Sequence, residues 1–375
     1  MDSNTDRMLK HLRSALILFF LPAAATAQDA HVVPTEMCRD YFFVPVVMAA
    51  REDRAADQAG RTLWFLFDTG AAVTHVDPGA IERITGRDVS DQRRVAITDA
   101  HAGPVAFNRL PARVSELDHL SVALGREIDG ILGFTAFEDF LLTLDYGSEE
   151  MRIESGTLPR PDNETIFNAS GPDARPWIRL RLPGRSQRIL IDSGAAATPL
   201  ALNRLDRYPL TDDARAIGAS VRFRHIEYRQ GWRLDGDARL GDFVFDQPLV
   251  EEVPGTELFG GMLMRHFVWT FDQDNERVRI QRIEGDGSIP MDAEITHGLA
   301  LRPVGDHVQI EHILDGSHAE DAGLQVGDII THLDGLPMRN RGCGIEDETP
   351  DSVVMTRLRD GDSVDVVLPL VTLVD

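Results

Sequence analysis

Lysine is almost missing from this chain: Lys10 is the last one, and every later strongly basic side chain is an arginine. That bias suggests a GC-rich bacterial genome. Cysteine is nearly as scarce, with only Cys38 and Cys343, so at most one intramolecular disulfide can form, tying the region near the N-terminus to the C-terminal region. Two separate thiols are the alternative. No CxxC, HExxH or clustered-histidine pattern occurs, so neither a metal site nor a cofactor is expected. Positive charge is also short, at 38 Lys plus Arg against 61 Asp plus Glu. The net charge of -23 disfavours nucleic acid and anionic lipid surfaces as partners. Long hydrophobic runs are missing too: the apolar stretch that includes Ala15 to Leu21 has about 13 residues, against roughly 20 for a spanning helix. Stable membrane insertion is therefore not expected.

That short apolar stretch has another use. Arg7, Lys10 and Arg13 precede it and Ala25-Thr26-Ala27 follows it, the layout of a signal peptide cleaved after Ala27. The expectation is export to a bacterial periplasm or beyond. The 375 residues are enough for two or three domains, each with its own core.

Two stretches repeat each other. Phe65-Leu66-Phe67-Asp68-Thr69-Gly70-Ala71-Ala72 is answered by Ile189-Leu190-Ile191-Asp192-Ser193-Gly194-Ala195-Ala196. At nearly matching distances come Ile131-Leu132-Gly133 and Leu258-Phe259-Gly260, then Thr143-Leu144-Asp145 and Thr270-Phe271-Asp272. Glu149 to Ile153 and Glu276 to Ile280 continue the correspondence, so one unit of roughly 110 residues is present twice.

The texture of each copy is β, with short runs of Val, Ile, Leu and Phe broken by Gly, Pro, Asp and Asn. Strands are predicted over 42–49, 63–67, 177–182 and 188–191. Short helices are predicted over 78–85 and 201–206. Residues 155–175 read as the connection between copies, and 28–40 as either a removable segment or a first strand with its lead-in. A composition shift near 285–291 opens a third unit. There the pattern predicts strands over 298–301 and 307–313, a short helix over 316–324, a helix over 350–359 and a closing strand over 363–374.

Chemistry centres on the repeated Asp. Glycine at the second position after each Asp lets backbone amides approach the carboxylate, and the Thr69 or Ser193 hydroxyl can bond to the opposite turn. Two carboxylates about 3 Å apart cannot both ionise cheaply, so they hold one proton between them and titrate as a unit. One oxygen then serves as base toward a bound water while another serves as acid toward a carbonyl oxygen. Asp68 and Asp192 take these roles jointly.

These residues resemble the pepsin and retropepsin superfamily of aspartic peptidases. Both Asp motifs fit its pattern of three apolar residues, Asp, Thr or Ser, Gly, Ala. Ile131, Leu132 and Gly133, with Leu258, Phe259 and Gly260, fit its hydrophobic-hydrophobic-Gly elements. The resemblance covers about 41–283 and implies two tandem retropepsin-like β-barrel lobes, 41–155 and 175–283, about a pseudo-two-fold axis. It also implies a flap over the substrate, with Val95 to Phe107 as the first-lobe candidate and Val221 to Leu234 as its second-lobe counterpart, whose Tyr228 and Trp232 are either cleft-covering or core aromatics.

Residues 298–335 resemble a bacterial PDZ domain, most clearly in Gly316-Ser317-x-Ala319-x-x-Ala322-Gly323-Leu324-x-x-Gly327-Asp328-x-Ile330 and Leu333-Asp334-Gly335, and the likeness implies such a domain over 289–375. That likeness implies a small α+β fold whose carboxylate loop, Gly298, Leu299, Ala300 and Leu301, catches a peptide C-terminus. Docking against the two lobes is the competing role. The expected whole is a mainly β aspartic endopeptidase acting on extended polypeptide segments. Its rivals are a catalytically silent peptide-binding adaptor and a regulatory protease with one dedicated substrate.

Overall fold

The computed structural model describes residues 30–49, 61–221, 226–289, 291, 294–342 and 351–374. The predicted leader, 1–27, and Cys343 lie outside them. Cys38 is buried and disulfide-bonded.

The chain is mainly β. Its first half runs through β1 (His31–Val33), β2 (Glu36–Cys38), β3 (Tyr41–Met48), β4 (Thr62–Asp68), β5 (Thr74–Val76), helix α1 (Pro78–Thr85), β6 (Arg94–Ala102), β7 (Val105–Val114), helix α2 (Asp118–Leu124), β8 (Gly130–Gly133), β9 (Leu141–Asp145) and β10 (Glu150–Glu154). The connection carries β11 (Ile166–Asn168). The second half contains β12 (Trp177–Leu182), β13 (Arg185–Ile191), β14 (Leu200–Leu202), β15 (Arg215–Val221), β16 (Ile226–Arg233), β17 (Ala238–Leu240), β18 (Phe243–Phe245), β19 (Leu249–Glu252), β20 (Leu258–Phe259), helix α3 (Gly261–Met264), β21 (Phe267–Asp272) and β22 (Arg277–Arg282). The C-terminal module has β23 (Glu294–Thr296), β24 (Leu299–Val304), β25 (His307–Ile313), β26 (Ile329–Leu333), β27 (Leu336–Pro337), β28 (Ser352–Arg359), β29 (Asp362–Pro369) and β30 (Val371–Val374).

The first half closes on itself. Its sheet runs β2-β3-β4-β8-β5-β7-β6, and β6 pairs back onto β3 at Val47↔His101, making a six-stranded barrel. The second half repeats the order as β12-β13-β20-β14-β19-β16, but the pairing back onto β12 comes from β17, at Arg181↔Arg239. One long strand in the first copy is thus two in the second, separated at Leu234 to Asp237, where Gly236 has φ +123°. That break leaves a nine-stranded path instead of a closed ring.

The copies meet in a third sheet, β1-β10-β9-β21-β22-β11. At its centre β9 and β21 pair antiparallel with Thr143 opposite Thr270, so the repeated Thr-x-Asp segments lie side by side. One hydrophobic cluster, including Phe42, Phe67, Phe137, Phe259, Trp269 and Phe271, runs through both halves. The C-terminal module has a separate core around Leu299, Ile310, Leu324, Ile330 and Met355.

Helix α1 forms where predicted. Asp77 caps it by accepting from Gly79 N at 2.8 Å, Pro78 opens it, and Gly86 ends it in the left-handed region. The helix expected over 201–206 is instead the end of β14 and a 3₁₀ turn, because residues 200–202 are sandwiched between β19 and β20. Residues 316–324 form a succession of turns, not a helix. The helix expected over 350–359 is strand β28, whose Val353 and Met355 alternate into the module's core. The long closing strand is two strands, β29 and β30. Residues 31–38 supply β1 and β2, the lead-in to the first barrel. Among the described residues no helix is long and apolar enough to cross a membrane.

Candidate active site

Each Asp stands at the C-terminal end of a strand that has a parallel neighbour. Asp68 closes β4, which pairs with β8 at Phe67↔Leu132 and Asp68↔Gly133. Asp192 follows β13, which pairs with β20 at Leu190↔Leu258 and Ile191↔Phe259, and its N–H donates to the Phe259 carbonyl at 3.1 Å. The hydrophobic-Gly elements therefore lie directly beside the two Asp. Their glycines are required by space: a Cβ on Gly133 would meet the Val73 carbonyl carbon at 2.7 Å, and one on Gly260 the Thr198 carbonyl oxygen at 2.1 Å.

The two Asp loops then lock together. Thr69 N–H donates to Ser193 Oγ at 3.0 Å, and Ser193 N–H donates to Thr69 Oγ1 at 2.9 Å. The hydroxyls pass the bonding across the interface: Thr69 Oγ1 donates to the Ile191 carbonyl at 2.8 Å and Ser193 Oγ to the Phe67 carbonyl at 3.2 Å. Both side chains are fully buried, so every hydroxyl has a donor and an acceptor role satisfied.

This lock brings the carboxylates together over each other's glycines. Gly70 N–H donates to Asp68 Oδ1 at 2.7 Å, and Gly194 N–H donates to Asp192 Oδ1 at 3.0 Å. A Cβ on Gly70 would stand 2.5 Å from Asp192 Cγ, and one on Gly194 2.4 Å from Asp68 Cγ. Removal from water, then the Asp192 charge and a hydrogen bond with Asp192, hold the Asp68 carboxyl well above the ordinary value of 3.8, against smaller opposing bonds from Gly70 and Ala71. Burial and the neighbouring carboxyl thus both favour the protonated form of Asp68.

Sequence reasoning missed Arg175. From the connection it donates to the Gly70 carbonyl at 3.1 Å, steadied by Asp173 at 2.7 Å and lying over the Trp177 ring at 5.4 Å. Its only sequence signal is Asp173-x-Arg175-x-Trp177 within a proline-rich connection.

The hairpin at Val95 to Phe107 forms, as β6 and β7, but its tip pairs with Val47 and Met48. That is the end of the barrel where Thr62 starts β4, roughly 20 Å of strand from Asp68. The second-half hairpin is β15 and β16. Its Tyr228 hydroxyl donates to Glu311 of the C-terminal module at 3.2 Å and its ring meets His312 edge-on, while Trp232 packs beside Ile217, Leu249 and Leu314. An opening of about 520 Å³ near Asn203, Glu227, Tyr228 and Glu252 touches neither Asp68 nor Asp192.

In the C-terminal module, Gly298 N–H already donates to Thr296 Oγ1 at 3.1 Å and Leu299 N–H to His297 Nδ1 at 3.0 Å. Burial holds His297 down to about 4, so its ring is neutral near pH 7 and can accept that bond. Two amides of the expected carboxylate loop, Gly298 to Leu301, are thereby in use. No protein-family model matches the chain, and no curated protein matches it.

Proposed function

We propose that this chain is an aspartic endopeptidase: two retropepsin-like lobes, followed by a PDZ-like module, exported with removal of residues 1–27. The observation that carries this reading is the reciprocal seating of Asp68 over Gly194 and Asp192 over Gly70. A turn motif has no need of a second copy of itself interlocked by four hydrogen bonds. A water-activating pair has.

In the proposed reaction one carboxylate takes a proton from water as its oxygen attacks the scissile carbonyl carbon. The protonated carboxyl gives its proton to the carbonyl oxygen. Collapse of the resulting gem-diol breaks the C–N bond, with a proton delivered to the departing amine and the pair returned to its singly protonated state. No covalent link to the enzyme forms. The substrate is an extended polypeptide segment held by main-chain hydrogen bonds.

The test is cleavage of an unfolded protein between pH 3 and 7 by wild type, Asp68→Asn and Asp192→Asn. Loss of cleavage in both variants supports the shared site. A wild type that binds peptides and cuts none moves the binding-adaptor reading ahead.

A further inference from the structure

Helix α2 belongs to the first half by chain connectivity, yet one of its side chains belongs to the C-terminal module by packing. Val122 is completely buried and sits in the module's core with Leu299, Val308, Ile310 and Met338. Leu120 and Leu124 face the other way, against Phe43, Leu66, Leu117, Ile128 and Ile131 on the first barrel. The helix is a shared element between two cores.

The module also grips both ends of this helix. At the C-terminal end, Arg341 donates to the Val122 carbonyl at 3.1 Å and to the Ala123 carbonyl, which the helix itself leaves without partners. Gly342 N–H donates to the Gly125 carbonyl at 2.9 Å. Gly125 caps the helix at φ +73°, and a Cβ there would meet Arg341 Cγ at 2.3 Å, so the guanidinium arm lies flat over the cap. At the other end, Arg339 pairs with Asp118 at 2.5 Å. Strand β24, an edge of the module's sheet, is lined by α2 and β15.

The same helix leads directly to the carboxylates. Ser121 Oγ accepts from Ile128 N–H at 3.0 Å, fixing the turn into β8. Asp129 N–H donates to the Trp64 carbonyl at 2.9 Å, β8 runs beside β4 to Asp68↔Gly133, and Phe134 N–H donates to the Ala71 carbonyl at 2.9 Å. An unbroken set of bonds thus joins Arg341 to the loop that carries Asp68.

We propose that α2 is the internal ligand of the C-terminal module, and that seating it there fixes β8 beneath Asp68, so that the module governs the site in cis. The apolar slot between β24 and Met338 fits a helical turn with an acid four residues before a β-branched side chain and a glycine stop. This chain fills that slot with itself. The consequence for the site rests on the peptidase reading; the mechanical coupling does not.

Hydrogen exchange on the full chain tests the coupling without requiring cleavage. In the Arg339→Ala/Arg341→Ala double variant, amides of 118–124 and of 130–134 should exchange about tenfold faster, while β12 and β13 stay as in wild type. Faster exchange in 118–124 alone would overturn the coupling, and no change in either segment would overturn the grip. If β12 and β13 also speed up, the double variant has lost its fold. Arg339→Ala alone, at the more exposed anchor, must then give the same pattern at smaller amplitude, and its failure to do so counts against the proposal. Lost cleavage with wild-type exchange would likewise speak against it and leave the carboxylate pair untouched.

Discussion

A Cβ on Gly70 would stand 2.5 Å from Asp192 Oδ1, closer than real Cβ atoms come to any neighbour. Gly70 is outside the left-handed region, so what it supplies is room, not backbone freedom. Asp192 cannot swing away, because its Oδ1 is held by Gly194 N–H and its carboxyl is hydrogen-bonded to Asp68. Gly70→Ala should therefore separate the pair. On the peptidase reading kcat falls at least ~100-fold while stability drops by about 1–3 kcal/mol, the usual range for overpacking. Rates and thermal melts of Gly70→Ala and Gly194→Ala check this, and near-wild-type turnover in either would sink it.

The raised Asp68 pKa fixes the sign of a pH effect on stability. Between the ordinary value of 3.8 and the raised folded value, the folded chain keeps a proton that the unfolded chain has released. Stability accordingly falls as pH rises through that window and then levels off. Asp68→Asn has nothing to ionise and its side-chain oxygen can still accept from Gly70 N–H. The variant should melt above wild type at pH 7, with the gain shrinking below the ordinary carboxylate value. Equal gains at pH 3 and pH 7 would show that the carboxyl is not held protonated by its surroundings.

The interlocked Asp loops could be anticipated in the sequence because each half states its motif in full, and duplication fixes what each copy must meet. Helix α2 could not. Leu120 and Leu124 serve one core and Val122 another, so the helix shows no single apolar stripe. Ser352 to Arg359 misled in the opposite way, since arginines at 357 and 359 beside Val353 and Met355 fit a helical face and an alternating strand about equally. The role of the β6–β7 hairpin was unreadable for a third reason. Its composition gives a hairpin, but which end of the barrel it covers depends on the Val47↔His101 closure, a long-range pairing with no local signature.

At the centre of the shared sheet, the hydroxyls of Thr143 and Thr270 are 2.9 Å apart, both buried, on the paired strands β9 and β21. Among the described residues neither hydroxyl has a further hydrogen-bond partner, so removing one should leave the other unsatisfied and away from water. Thr143→Val and Thr270→Val should each cost about 1–3 kcal/mol, the penalty for an unsatisfied buried polar group. The double variant replaces both hydroxyls with methyls of nearly equal shape, and it should recover most of that loss. A double-mutant cycle by chemical denaturation measures the coupling directly. Additive losses would mean that the two hydroxyls do not depend on each other, and that the halves are joined there by strand pairing and the apolar contacts around Trp269 alone.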